Sequence, residues 1–379
     1  MGDGRFVRTE TVPAMPPPGR DRALVGWLRE HLFSGPLNIG LTLLSLLVLW
    51  WLIPPLLNFL ILDAVWTGDD RAACIASPER PRVGACWAFV IERINFFIYG
   101  FYPAEERWRV DLFFALLAIG IVWLLASWAP NKRLGAIYFF IVLPIVSVML
   151  LLGFAPLGLS YVATSLWGGV LVTVVVSAVG IVFSLPLGIL LALGRRSTMP
   201  AVRLFSIIFI EFVRGVPLIT VLFMASVMLP LFVPESWSPD KLLRALVGVA
   251  LFAAAYMAEV VRAGLQAIPR GQYEGAQALG LSYWQMMGLI VLPQALRITI
   301  PNIVNSNIAL FKDTTLVFIV GIFDFLRTIE AARIDPKWAT PVTSTTGYAF
   351  AAIFYFLCCW MMSRYAKSVE RRLATGFRR

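Results

Sequence analysis

The sequence predicts an all-α polytopic membrane protein of about eight transmembrane helices, and three observations carry that prediction. Hydrophobic residues fill 59% of the 379 positions and charged residues only 14%, where a soluble globular domain carries roughly 25% charged residues. The apolar residues gather into runs long enough to span a bilayer, about 20 residues for a helix. The charges sit between those runs and at the two chain ends, which is how a polytopic membrane protein uses arginine. The net charge of +10 therefore reads as topology and not as nucleic-acid binding, because the basic residues form no patch interleaved with aromatics.

In chain order the spans fall at 38–62, 110–129, 134–154, 166–193, 201–230, 244–263, 292–312 and 346–366. Residues 1–36, with "MPPPGR" among them, lack a short apolar core followed by a small-residue cleavage site, and read as a cytoplasmic tail. With that tail inside, alternate segments hold 18 basic residues against six acids, from Arg5 and Arg8 through Lys132, Arg133, Arg195 and Arg196 to Arg378 and Arg379. The segments on the other face hold slightly more acids than bases. The bias fits the positive-inside rule and puts both termini in the cytoplasm.

The first outer segment, 63–109, contains Cys74 and Cys86. An oxidising compartment permits a bridge there, and closing so short a loop contributes about 3 kcal/mol in the chain-entropy view. The alternative is two free thiols. Cys358 and Cys359 lie in the last span and read as packing residues. The uncharged stretch "FAPLGLSYVATS" at 154–165 marks a junction. Before it, 37–165 forms an N-terminal extension of three spans. After it, 166–366 forms a five-span core with regularly placed Gly and Pro, and 367–379 is a basic cytoplasmic tail.

The core carries the informative chemistry, in "EGAQALGLSYWQMMGLIVLP" at 274–293. Pro269 suits the first turn of a helix, where a missing N–H costs nothing. Glu274 follows in its early half, where a negative charge suits the helix dipole. Gly280 is placed to end that helix in the left-handed region, with Leu281 as the apolar cap contact. Ser282 and Gln285 form a capping-box pattern for a second helix, and Pro293 marks the start of the next span. The stretch reads as a helix–turn–helix elbow on the cytoplasmic side, as against an ordinary loop.

Glu274–Gly275–Ala276, three residues, Gly280, nine residues, then Ile290–Val291–Leu292–Pro293 resembles the EAA loop of ABC importer permeases. Gly275 is the one departure, where that family usually has alanine. "FVRGVPLI" at 212–219, "AYMAEVVRAGLQAIPRGQYEGAQALGLS" at 255–282, "LPQALRITIP" at 292–301 and "LFKDTTLVFIVGI" at 310–322 look like the polar amino-acid uptake branch. The added spans and long outer segment are similar to the general L-amino acid permease subunits, most like the M subunit. The resemblance implies a type I importer core of five helices in the bacterial inner membrane. It also implies partners: a cytoplasmic ABC ATPase dimer, a second and related permease, and a periplasmic amino-acid-binding protein. Glu274, Gly275, Ala276, Gly280, Leu292 and Pro293 would then form the ATPase coupling site.

The residues say independently that the energy comes from elsewhere. None of Lys132, Lys241, Lys312, Lys337 or Lys367 follows the glycine of a phosphate loop. ATP would be used by the partner, with no cofactor or metal bound by this chain. His31 is the only histidine and lies before the first span, which leaves no histidine-based catalytic or zinc site.

Charges inside spans default to functional readings. Glu211 with Arg214, and Glu259 with Arg262, are each three residues apart and can pair on one helix face. In the seventh span Asn302, Asn305, Ser306, Ala309 and Asp313 form a polar stripe at helical spacing. Two readings stand for it: hydrogen bonding between helices, or a solute path in which Asp313, with Lys312 or Thr314, meets a zwitterionic amino acid. Adjacent helical residues diverge by about 100°, so Lys312 and Asp313 act together only where the helix breaks. The same elbow would also serve an importer of another small polar solute, such as an opine. An ion-driven secondary transporter is the reading from another class, and the internal repeats common in that class are not visible here.

Overall fold

Lipid offers no hydrogen-bond partner to a bare backbone, so an apolar chain of this kind crosses a membrane as helices. The computed structural model describes residues 24–78, 80–126, 128–234 and 239–374. The first 23 residues of the N-terminal tail and the last five of the basic tail lie outside the described residues. After a short helix α1 (Leu24–His31), the spans are α2 (Pro36–Leu62), α4 (Ala104–Leu125), α5 (Lys132–Leu152), α6 (Gly169–Arg195), the bent pair α7 (Pro200–Gly215) and α8 (Leu218–Phe232), α9 (Lys241–Gln266), α11 (Tyr283–Val320) and α13 (Pro341–Ala374). Helix α3 (Trp87–Tyr99) precedes α4, α10 (Arg270–Ala278) lies between α9 and α11, and α12 (Phe325–Ala332) lies between α11 and α13.

Helices α6 and α9 pack closest. Gly188 of α6 faces Met257 so tightly that an added Cβ would lie 2.8 Å from the Met257 Cβ, and Gly180 faces Val249 at 3.0 Å. Small residues let backbones approach where lipid supplies no hydrophobic drive between helices. Around this pair two apolar cores form. The core nearer the 266–283 turn joins Ala192 and Leu193 of α6, Ile210 of α7, Met257, Val261 and Leu265 of α9, Ala276 of α10 and Met287, Val291 and Ala295 of α11. The core toward the opposite end joins Leu171 and Val176 of α6, Leu222 of α8, Val249 of α9 and Val317 of α11 with Val110 and Phe113 of α4 and Leu150 and Leu151 of α5. So α4 and α5 are packed into the bundle, whereas α2 buries no residue and its apolar surface stands open on all sides.

The sequence reading needs three corrections. The fifth span is two helices that meet at 106°. Val216, at the break, is extended with φ −111° and ψ 136°, because the Pro217 ring disfavours the helical conformation of the residue before it. Helix α7 packs on the last turns of α6 through Ile210 and Glu211, and α8 leaves it at that sharp angle. Pro293 does not begin the seventh span: the helix starts at Tyr283 and widens into a π turn at Met287–Val291, just ahead of the proline. Third, the 63–109 segment is no open loop. Helix α3 and its flanks pack Val65, Phe89 and Phe97 against Phe325 and Ile329 of α12 and Trp338. Arg93 pairs with Asp335 and Lys337 with Glu92, and the Cys86 N–H donates to Thr346 Oγ1 at 2.8 Å.

Cys74 and Cys86 are joined as a disulfide with Cα atoms 5.7 Å apart. At the same end, Gly168 and Gly169 bridge to Phe323 and Asp324. Gly169 has φ +65°, and a Cβ there would sit 2.1 Å from the Phe97 carbonyl oxygen, so only glycine fits. Asp324 is fully buried and caps α12, accepting from the Leu326 N–H at 3.0 Å and the Arg327 N–H at 3.3 Å.

Two measurements follow from this end of the molecule. Thiol alkylation of the denatured, unreduced protein should label the two cysteines Cys358 and Cys359, and reduction should expose two more. Burial pushes the Asp324 carboxyl up to about 7, against the ordinary 3.8 that it regains on unfolding. The folded state then holds a proton that the unfolded state releases, so this residue's contribution to stability falls as pH rises from about 4 to about 7. Asp324→Asn should flatten that part of a stability–pH profile relative to wild type, and an unchanged profile would remove the assignment.

Candidate functional site

The polar elbow between α9 and α11 is built by local chemistry. Helix α10 begins at Arg270 with Pro269 as its N-cap residue, so the proline lies one position outside the helix. It ends where Gly280 takes φ +71° and Leu281 N–H bonds back to Ala276 O at 3.2 Å. Ser282 and Gln285 then form a reciprocal capping box that starts α11. Ala276 is buried against α9 and α11, and Gln294 Nε2 donates to Gln272 Oε1 at 3.0 Å, fastening α10 to α11. Gly264 crosses α11 so closely that a Cβ would meet the Ala295 carbonyl oxygen at 2.6 Å. The elbow is thus a compact knob seated on a close helix crossing.

Its outer surface is free. Glu274, Gly275 and Leu279 are exposed, and among the described residues Glu274 forms no ion pair. Glu274 shares a shallow cavity of about 430 Å³ with Arg196, Arg270 and Tyr273. An exposed carboxylate on a rigid knob, ringed by small residues, is fit to meet a polar or basic group of another protein. Of the residues singled out from sequence, Glu274, Gly275, Ala276 and Gly280 come together here, while Leu292 and Pro293 lie in the first turns of α11 beyond the π turn.

The polar stripe is a separate place. Asn302, Asn305, Ala309 and Lys312 are exposed along one side of α11, with Ser306 and Asp313 partly covered. The α-helix ends at Asp313 and tightens into a 3₁₀ run at Thr314–Val320. Thr314 is buried and donates to the Phe311 carbonyl at 2.8 Å, so its hydroxyl is turned away from that surface.

The charged pairs differ from the sequence expectation. Glu259 does bond Arg262, with Oε2 accepting from Nη2 at 2.6 Å and Nε at 2.8 Å. Glu211 pairs with Arg195 of α6 at 2.8 Å and not with Arg214, which lies 3.9 Å from Glu259. Arg195 also donates to Glu259 at 2.9 Å. One carboxylate thus gathers arginines from α6, α7 and α9. The sequence showed Arg195 and Arg196 only as topological charges, because their partners lie 16 to 77 residues away.

Two glycines of the elbow should respond oppositely to alanine. Gly275 lies mid-helix with nothing within 4 Å of an added Cβ, so Gly275→Ala should stabilise α10 by about 0.5–1 kcal/mol. Gly280 also faces open space, but its left-handed backbone makes Gly280→Ala destabilising by about 1–2 kcal/mol. Limited proteolysis at Arg270 under native conditions reads both signs. Equal effects would mean that the backbone conformation at 280 is not what ends the helix.

Comparison with known proteins agrees with this geometry. Residues 184–375 match the family described as the binding-protein-dependent transport system inner membrane component. The chain is similar to the inner membrane amino-acid ABC transporter permease protein YhdY of Escherichia coli (strain K12), 50% identical over 94% of each chain. It is also similar to the glutamate/glutamine/aspartate/asparagine transport system permease protein BztC of Rhodobacter capsulatus, 42% identical over the full length of both. The glutamate/aspartate import permease protein GltK of Escherichia coli O6:H1 is 35% identical over 54% of this chain and 92% of its own length. A family match across half the chain, and half-identity across nearly all of it, show that the chain belongs to the binding-protein-dependent transport system inner membrane components, the multi-pass permeases of ABC transporters.

Proposed function

We propose that the chain is the pore-forming permease subunit of an ATP-driven, binding-protein-dependent importer of L-amino acids. The observation that carries the coupling role is the elbow: a capped, glycine-hinged knob with an exposed Glu274, fixed at its base to the crossing of α9 and α11. The names of the relatives at 50% and 42% identity support the amino-acid substrate class. The elbow end faces the cytoplasm with both termini, in line with the arginine bias, and the Cys74–Cys86 end faces the periplasm. We divide the chain into a 37–165 extension and a 166–366 core, a reading supported by the family match, which lies within 184–375.

In this reading an ATPase dimer grips the elbow of this chain and of a second permease. Its closure on ATP moves both elbows and swings the two α9–α11 crossings against each other. The solute delivered by the binding protein passes along the exposed α11 stripe, where Asn302, Asn305, Ser306, Lys312 and Asp313 offer donors and acceptors. A polar stripe facing lipid is costly, so it belongs where water or the second permease covers it. Thr314 stays with the fold, because its hydroxyl is already bonded within α11.

The test is uptake into proteoliposomes holding the assembled complex, with binding protein outside and ATP inside. Glu274→Lys should leave insertion intact and sever hydrolysis from uptake; full uptake by that variant would remove the coupling role. Asn305→Ala and Asp313→Asn should weaken uptake by about 3- to 30-fold, the range for losing one or two polar contacts. Unchanged kinetics in both would take the path off this stripe. Uptake driven by an ion gradient without ATP would overturn the whole reading.

A further inference from the structure

The end of α6 carries two adjacent arginines that face different partners. Arg195 points into the bundle, to Glu259 and Glu211. Arg196 points to the elbow. Its guanidinium lies 5.6 Å from the centre of the Tyr273 ring, and its Nη1 donates to the Tyr273 hydroxyl at 3.1 Å and to the Leu265 carbonyl at 3.4 Å. The Tyr273 hydroxyl in turn donates to the same carbonyl at 3.1 Å. One guanidinium, one phenol and one helix-end carbonyl therefore close a small ring that joins α6, α9 and α10.

Connectivity gives this ring its importance. The elbow is covalently continuous with α9 and α11, so any push on it reaches those helices directly. Helix α6 is a neighbour in space but not in sequence. Among the described residues, Arg196 to Tyr273 is the hydrogen bond between the end of α6 and α10. At its other end α6 starts at Gly168–Gly169, wedged against Phe97 and bridged to Phe323 and Asp324. A displacement of α6 along its axis would thus carry to the face where solute arrives.

We infer that Arg196 and Tyr273 form a rigid strut that passes elbow movement to α6, and that the yield of transport per ATP hydrolysed depends on it. This rests on the coupling role proposed above. Both are positioning residues: neither touches solute or nucleotide, and each acts by holding the elbow at a fixed place against α6. The stacked ring carries the orientation and the hydroxyl adds the bond to Leu265, so Tyr273→Phe should retain more function than Tyr273→Leu. Arginine is required over lysine because a planar guanidinium can stack and donate together.

The experiment compares wild type, Arg196→Ala, Tyr273→Phe and Tyr273→Leu as assembled complexes in proteoliposomes, measuring uptake and ATP hydrolysis together. ATPase should remain bound in all four. Uptake per ATP should fall about 2- to 30-fold in Arg196→Ala and Tyr273→Leu, the span that remote coupling residues show, and less in Tyr273→Phe. A covalent substitute separates a strut from a merely stabilising contact. Arg196→Cys with Tyr273→Cys, in a Cys358→Ser and Cys359→Ser background, should couple poorly as free thiols and recover when joined by a short reversible crosslinker. An undiminished ratio in Arg196→Ala, or transport blocked by the crosslink, would overturn the inference. Absence of ATP-dependent uptake in the wild-type complex would instead sink the functional reading on which it rests.

Discussion

Everything in this bundle hangs on the contact between α6 and α9. Gly180 and Gly188 remove the side chains that would hold the two helices apart, and Val249 and Met257 fill the spaces left. In lipid, where apolar side chains gain little by leaving their surroundings, such close approach is a main source of helix association. The pair then serves as the common wall of both apolar cores. One core carries the elbow, and the other anchors α4 and α5. Helix α11 also reaches both, with Ala295 in one and Val317 in the other.

Polar groups are pushed to the two ends of that wall and to one stripe. At the elbow end, Glu259 collects Arg195 and Arg262, which lets charges lie near the membrane with their hydrogen bonds met. At the opposite end, the disulfide-bridged segment with α3 folds over α12 and the start of α13, tied by Arg93 to Asp335 and by Lys337 to Glu92. The 63–109 segment, α4 and α5 are therefore part of one structure with the later helices. The exception is α2, which buries no residue and is held at its last turn, where the Phe59 and Leu60 carbonyls accept from the Ala85 N–H and Trp87 Nε1.

What the sequence revealed depended on how local the physics was. The caps inside the elbow were legible, because a left-handed Gly280 and a Ser282–Gln285 box need only their own neighbours, while Pro269 and Pro293 misplaced its two outer limits. Span number was legible because hydropathy averages over many residues. That same averaging hid the bend at Val216–Pro217, where both residues are apolar and the break is conformational. Helix α3 escaped notice because its burial comes from Phe325, Ile329 and Trp338, more than 200 positions away. Glu211 was assigned to the arginine three residues off, when the arginine ending the previous helix was the better-placed partner. Contacts between distant helices carry no mark in a single chain.

The central claim is that elbow, α6 and α9 move as one body during a transport cycle. The direct measurement is the distance between spin labels at Thr198→Cys, just past α6, and Gly271→Cys, on the open surface of α10, in a Cys358→Ser and Cys359→Ser background. The assembled complex is read without nucleotide and again with ATP trapped. The account predicts one distance in both states, alongside a changed distance between labels at Asn305 in this chain and on the proposed second permease. A Thr198–Gly271 distance that shifts with nucleotide would contradict it, because the elbow would then be sliding against α6 and not carrying it.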